Sequence, residues 1–188
     1  MGRITDISHL LLSKHIKSGD IVIDATCGNG HDTLFLATQV GPTGIVHAYD
    51  VQEQAIINTK NLTKDFNNII FHLESHENIN DKNIKAVIFN LGYLPTCDKN
   101  ITTTCESTKN IITKLVNSYD VNPNMLILIV VYPGHLEGSK ESKWLDDYVT
   151  KLDTSFMCCK YQPINQHNSP YILTIEKNKG SHSFILIF

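Results

Sequence analysis

Residues 21–33 read Ile-Val-Ile-Asp-Ala-Thr-Cys-Gly-Asn-Gly-His-Asp-Thr, and this stretch decides the fold. Strand-forming residues run into Asp24, a turn carries Gly28 and Gly30, and a helical pattern opens near His31. Glycine permits a positive φ and lets a ligand approach the backbone, while the free N–H groups opening the next helix point into the same crevice. The order strand, glycine turn, helix N-terminus is that of the first crossover of a doubly wound sheet.

The glycine spacing narrows what such a turn holds. A dinucleotide fingerprint needs a third glycine where Thr33 stands, and a Walker loop needs a Gly-Lys-Ser/Thr ending that is absent. Asp-Ala-Thr-Cys-Gly-Asn-Gly instead resembles motif I of the class I S-adenosylmethionine methyltransferases. That resemblance implies a cofactor cradle made by Asp24, Thr26, Cys27, Gly28, Asn29, Gly30 and Thr33. Asp32, near the N-terminus of the first crossover helix, is a candidate for the cofactor's ammonium, with stabilisation of the helix end as the other reading.

Working outward, residues 5–17 have helical apolar spacing, with Ile7, Leu10, Leu11 and Ile16 on the inner face. Strand one is expected at 21–25, a helix at 31–40, strand two at 45–50 and a second helix at 52–64. Asp50 ends strand two about 20 residues beyond the glycines, where a carboxylate accepts hydrogen bonds from a ribose diol. Val51 and Gln52 then sit beside the adenosine. Strand three, 69–73, leads to Glu74-Ser75-His76-Glu77. The methyltransferase resemblance implies that Ser75 or His76 reaches the adenine; His76 and Glu77, adjacent and without an H-x-x-x-H partner, give a weak metal signal that a surface turn explains as well.

Strand four, 85–89, delivers Asn90-Leu91-Gly92-Tyr93-Leu94-Pro95. This is similar to the Asn-Pro-Pro-Tyr box of methyltransferases acting on nitrogen, with Leu91-Gly92 in place of the prolines. The polar stretch 96–104 reads as a mobile loop at the mouth of the site, followed by a helix at 105–119. Residues 124–132 form an apolar run too short for a membrane span and suited to a strand covered on both faces; it ends at Tyr132-Pro133-Gly134-His135. A helix at 138–151, with Trp144, Leu145, Tyr148 and Val149 inward, precedes a hairpin of strands 155–163 and 170–177. Cys158-Cys159 is expected in a buried strand. The expected fold is α/β and Rossmann-like, a seven-stranded mostly parallel sheet with a C-terminal antiparallel hairpin and helices on both faces.

The chain of 188 residues is read as one domain, 1–188, with an N-terminal helix in 1–18 and an apolar tail at 179–188 of open role. Five cysteines without a C-x-x-C pair suit a reducing compartment. With neither a signal peptide nor a membrane span, the expectation is a soluble cytoplasmic protein. A net charge of −3 opposes a general nucleic-acid-coating surface but leaves room for a local patch from Lys109, Lys114, Lys140, Lys143 and Lys151.

Together the motif I block, Ser-His-Glu-Asn at 75–78, Phe-Asn-Leu-Gly-Tyr-Leu-Pro at 89–95, Val-Tyr-Pro-Gly-His at 131–135 and Asn-Gln-His-Asn-Ser-Pro-Tyr at 165–171 resemble one small bacterial family. It was long labelled an rRNA methylase family and is now assigned as MnmM-type tRNA 5-aminomethyluridine methyltransferases. The resemblance implies S-adenosylmethionine as cofactor, the tRNA anticodon stem-loop as partner, and methylation of a primary amine at the wobble uridine. Asn90, Tyr93 and His135 are the catalytic candidates, with the carbonyl of Leu91 as a further acceptor of the amine's hydrogen bonds; Asn90 and Leu91 also belong to the expected cofactor-binding set. Tyr93, Tyr132, His135 and Asn168 are the substrate-binding candidates. A homodimer is compatible with the reading; neither a metal nor a membrane is required. The alternatives are an amine in rRNA or a small metabolite, or a non-catalytic cofactor- or RNA-binding module.

Overall fold

The computed structural model describes residues 4–92, 105–134, 136–166 and 168–178. In chain order the elements are α1 (Ile4–His15), β1 (Ile21–Asp24), α2 (His31–Val40), β2 (Ile45–Asp50), α3 (Glu53–Leu62), β3 (Ile69–Leu73) and a 3-10 turn (His76–Asn78). Then come β4 (Ile84–Asn90), α4 (Cys105–Asn117), β5 (Leu126–Val131), α5 (Leu136–Val149), β6 (Phe156–Tyr161) and β7 (Tyr171–Lys177). The seven strands form one sheet in the order β3-β2-β1-β4-β5-β7-β6. β1 to β5 run parallel, and β7 lies antiparallel between β5 and β6.

The strands alternate between two helical layers because successive side chains leave a strand on opposite faces. Val22, Val46, Ala86, Ile88, Leu128 and Val130 meet Leu12 and Ile16 of the N-terminal segment and Leu36, Ala37 and Val40 of α2. Ile23, Val87, Phe89, Ile127 and Ile129 meet Ile111, Ile112 and Leu115 of α4 and Leu145 of α5. All six residues of β5 are buried, as an apolar run covered on both faces should be. Burying one such side chain contributes about 1.5–3 kcal/mol. The centre of the sheet is therefore its most firmly held part, and the carboxyl ends of β1 and β4 are fixed there.

Two expectations about packing are corrected. Leu10 is 57% exposed, and the inner line of the N-terminal segment is Ser8, Leu12 and Ile16. A serine can occupy that line because its hydroxyl donates to the Thr5 carbonyl at 2.8 Å. Cys158 and Cys159 are only half-buried, since β6 is an edge strand paired with β7 alone. Element ends differ from expectation by at most two residues, in helices and strands alike. The expected loop at 96–104 and the tail at 179–188 lie outside the described residues.

No helix among the described residues is long and apolar enough to cross a membrane.

Candidate active site

The glycine bend has the backbone its composition called for. Gly28 has φ 52° and Gly30 φ 87°, both in the left-handed region. The Gly30 N–H closes the bend on the Cys27 carbonyl at 2.7 Å, and Gly30 caps α2 without any side-chain hydrogen bond. Asp24 lies beneath the bend, fully buried. It accepts a hydrogen bond from the Thr33 hydroxyl at 2.6 Å and from the Thr26 N–H at 3.2 Å. Burial, with Asp32 nearby, holds the Asp24 carboxyl well above the ordinary range.

A cavity of about 650 Å³ opens at the carboxyl ends of the strands beside this bend, the position where open α/β sheets bind ligands. Of the residues expected to hold a cofactor, Thr26, Cys27, Gly28, Asn29 and Asp32 are on its wall. Asp50, Val51, Gln52, Ser75, His76, Asn90 and Leu91 are there too. Asp24, Gly30 and Thr33 are not among the lining residues: they brace the bend from behind. A Cβ on Gly30 would come within 2.8 Å of the Thr59 Cα, so this glycine lets α3 dock against the bend.

Asp50 ends β2 with both carboxylate oxygens engaged. Oδ2 accepts from the Gly28 N–H and Oδ1 from the Gln52 N–H, each at 3.0 Å. Burial raises its carboxyl despite those bonds. Ser75 and His76 separate clearly. The Ser75 side chain accepts from the Glu77 N–H at 3.2 Å and so caps its own turn. His76 lies 3.2 Å from the Ala25 carbonyl through Nδ1; a carbonyl only accepts, so Nδ1 carries the proton. Its Nε2 is then a bare acceptor, buried and without a partner among the described residues. Burial also lowers the ring's basicity, which favours the neutral form. An acceptor of this kind suits the amino edge of an adenine.

Asn90 is held through both its backbone and its side chain. Its backbone N–H donates to Thr26 Oγ1 at 2.8 Å, and that hydroxyl lies 3.3 Å from the Asn90 carbonyl. The glycine bend thus clamps the end of β4. The Asn90 amide Nδ2 donates to Asp32 Oδ2 at 3.0 Å, while His9 Nε2 donates to Asp32 Oδ1 at 2.6 Å. The His9 ring stacks on Phe35 at 3.9 Å. With Nδ2 committed to Asp32, Asn90 Oδ1 is left to accept from a ligand. Gly92 also acquires a reason: a Cβ there would meet the Tyr132 ring at 3.2 Å, so the departure from proline lets Tyr132 lie against this segment and line the cavity.

Asn168 is exposed in the turn between β6 and β7. Tyr171 pairs with Val131, so this turn is at the cavity's edge of the sheet, but Asn168 is not a lining residue. Tyr93 and His135 lie outside the described residues. The expected lysine patch is partly committed: Lys109 pairs with Glu106, Lys140 with Glu137, and Lys114 donates to the Glu77 carbonyl. Among the described residues no group of three or more His, Cys, Asp or Glu side chains could hold a metal.

Sequence reasoning missed His9 and Glu141. Glu141 stands three residues after Gly138 and four before Leu145, on one helical face, and Gly138 and Glu141 line the cavity. An acid in register with an inward leucine was the available signal. His9 had none, because its partner Asp32 is 23 residues away in sequence.

The sheet order, the glycine bend and the acid closing β2 define a class I methyltransferase, the class that uses S-adenosylmethionine. A family model described as "Putative rRNA methylase" matches residues 46–177, and the chain belongs to that family. It is 33% identical over 197 residues to the chloroplastic tRNA (mnm5s2U34)-methyltransferase of Arabidopsis thaliana, covering 95% of this chain and 70% of that protein. A crystal structure of a "putative rRNA-methylase" from Clostridium thermocellum superposes with a TM-score of 0.86 at 35% identity, covering 95% of this chain and 99% of the other. A "putative methyltransferase" from Streptococcus mutans, in complex with SAH, has a TM-score of 0.81 at 33% identity, with 95% and 99% covered.

Proposed function

We propose that this chain transfers a methyl group from S-adenosylmethionine to the primary amine of 5-aminomethyluridine at the wobble position of tRNA. The observation that carries the reading is Asn90, a residue of the cavity wall whose amide N–H is tied to Asp32, which leaves its carbonyl oxygen as the acceptor for a ligand. A carbonyl acceptor there suits a nucleophile that bears N–H groups. The activity in the name of the Arabidopsis relative supports a tRNA wobble uridine as substrate.

The residues present fit the cofactor. His76 Nε2 is an orphaned acceptor for the adenine edge, Asp50 stands where a ribose diol would reach it, and the uncapped N-terminus of α2 offers N–H groups to a carboxylate. When bound, the cofactor supplies an activated electrophilic methyl. The protein's own work is to hold the amine in line, exclude water and keep the nitrogen unprotonated. Asn90 Oδ1 orients the amine, and the Tyr132 ring offers a surface against which a splayed uracil stacks.

Purified protein, S-adenosylmethionine and tRNA carrying or lacking the aminomethyl group test the proposal directly. Methyl transfer to the aminomethyl-bearing tRNA alone is the expected result. Transfer to rRNA or a free metabolite in its place would refute the tRNA assignment. Binding without transfer to any RNA would favour a non-catalytic module.

Asp50→Ala tests the ribose role. Loss of a charge-assisted hydrogen bond costs about 1.5–3 kcal/mol, so calorimetry should show S-adenosylmethionine binding roughly 10- to 100-fold weaker. The circular dichroism spectrum should stay that of the wild type. Unaltered affinity would remove Asp50 from the ribose.

A further inference from the structure

Glu141 is a buried carboxyl that the reading above does not use. It is 6% exposed, on the second turn of α5, and on the wall of the main cavity. Thr108 of α4, itself fully buried, donates its hydroxyl to Glu141 Oε1 at 2.6 Å. Among the described residues no Lys, Arg or His makes an ion pair with it. The titratable groups that face it are Glu137 on the same helix, Cys105 on α4 and Tyr171 on β7. None of these is a cation. A carboxylate removed from water without a countercharge is costly, and the usual remedy is a partner of opposite sign. Here the remaining oxygen belongs to a side chain that lines an open cavity, so a ligand can bring that partner.

We propose that Glu141 binds the ammonium form of the substrate's aminomethyl group and accepts its proton. The inference rests on the amine-methylation reading above and deepens it by assigning the proton acceptor. In the step, one N–H bond of the ammonium breaks and one O–H bond forms on the Glu141 carboxylate. The electron pair of the broken bond stays on nitrogen as the lone pair that methylation requires. Two charges become none, which favours the transfer once bound substrate has displaced water from the cavity wall. Thr108 holds Oε1 throughout, leaving Oε2 to take the proton.

The chemistry of the carboxyl agrees. Burial, with Glu137 adding to it, pushes Glu141 up to about 7 from the ordinary 4.5, within the range where a general base works near neutral pH. The group must be ionised to act, so wild-type transfer should rise with pH through that value. In Glu141→Gln the proton has no acceptor, and transfer should rise only at higher pH as the free amine becomes abundant.

The test uses the full chain and two anticodon stem-loops, one carrying 5-aminomethyluridine and one plain uridine at the same position. Affinity is measured without added cofactor, and single-turnover methyl transfer is followed across pH. The wild type should bind the aminomethyl RNA about tenfold more tightly than the plain RNA. Glu141→Gln should bind the two alike, keep its S-adenosylmethionine affinity, and transfer about 100-fold more slowly at neutral pH, with the deficit closing as pH rises. Glutamine keeps the side-chain shape and an acceptor for Thr108, and retained cofactor affinity reports an intact fold. A variant with wild-type discrimination and pH profile would overturn the role of Glu141 alone. A wild type that neither prefers nor methylates the aminomethyl RNA would overturn the amine reading and this role together. Loss of cofactor affinity in the variant would mark Glu141 as structural and overturn the assignment.

Discussion

Replacing Asn90 by alanine should lower methyl transfer about 100-fold or more while changing S-adenosylmethionine affinity only a few-fold. The side chain's amide N–H is bound to Asp32 and its backbone is held by Thr26. That leaves the carbonyl oxygen for a ligand, and under the amine reading proposed above it would orient the nucleophile and not the body of the cofactor. Asn90→Asp separates shape from chemistry. It removes the donor and sets a carboxylate against Asp32 Oδ2, which lies 3.0 Å from the nitrogen it replaces. Like charges at that distance oppose joint ionisation, so Asn90→Asp should be as impaired as alanine despite its fit. Single-turnover rates together with calorimetric affinities check both variants, and wild-type turnover in either would exclude Asn90 from orienting the amine.

Gly30→Ala should be strongly destabilising. The position has φ 87°, and the added methyl would lie 2.8 Å from the Thr59 Cα. A left-handed backbone costs a non-glycine residue about 1–3 kcal/mol, and forced repacking about 1–3 kcal/mol more. In a chain of this size that corresponds to a fall in Tm of roughly 5–20 °C. Trimming Thr59 should not rescue the variant, because the nearest atom belongs to the backbone. Gly134→Ala is the control: an added methyl there would have nothing within 4 Å, and its φ is not in the left-handed region. A thermal melt that leaves Gly30→Ala within a degree or two of wild type would contradict this packing of α3 on the bend.

Neighbouring residues in this site are not equally legible in the sequence. Gly28, Gly30 and Asp50 can be read because their roles depend on local backbone conformation and on their place at the ends of strands. Ser75 and His76 cannot be told apart, because the difference lies in which one spends its hydrogen bonds on its own turn. Asp32 reads as a partner for an ammonium or a helix end. The fold places its two oxygens against His9 and Asn90, which come from two other segments of the chain. The packing roles of Gly30, against Thr59, and Gly92, under Tyr132, depend on neighbours 29 and 40 residues away, which no local pattern reports.

By itself, the sequence determined the strand and helix order, the glycine bend and the acid at the end of β2. Each of these follows from hydrophobic period, backbone freedom or position along a strand, all properties of short segments. The tertiary structure alone decided that the Asn90 amide is spent on Asp32, that His76 keeps a spare lone pair, and that Glu141 is buried in the cavity wall without a countercharge among the described residues. Those outcomes depend on which distant groups meet, and hydrogen-bond partnership and desolvation exist only once the chain has brought them together.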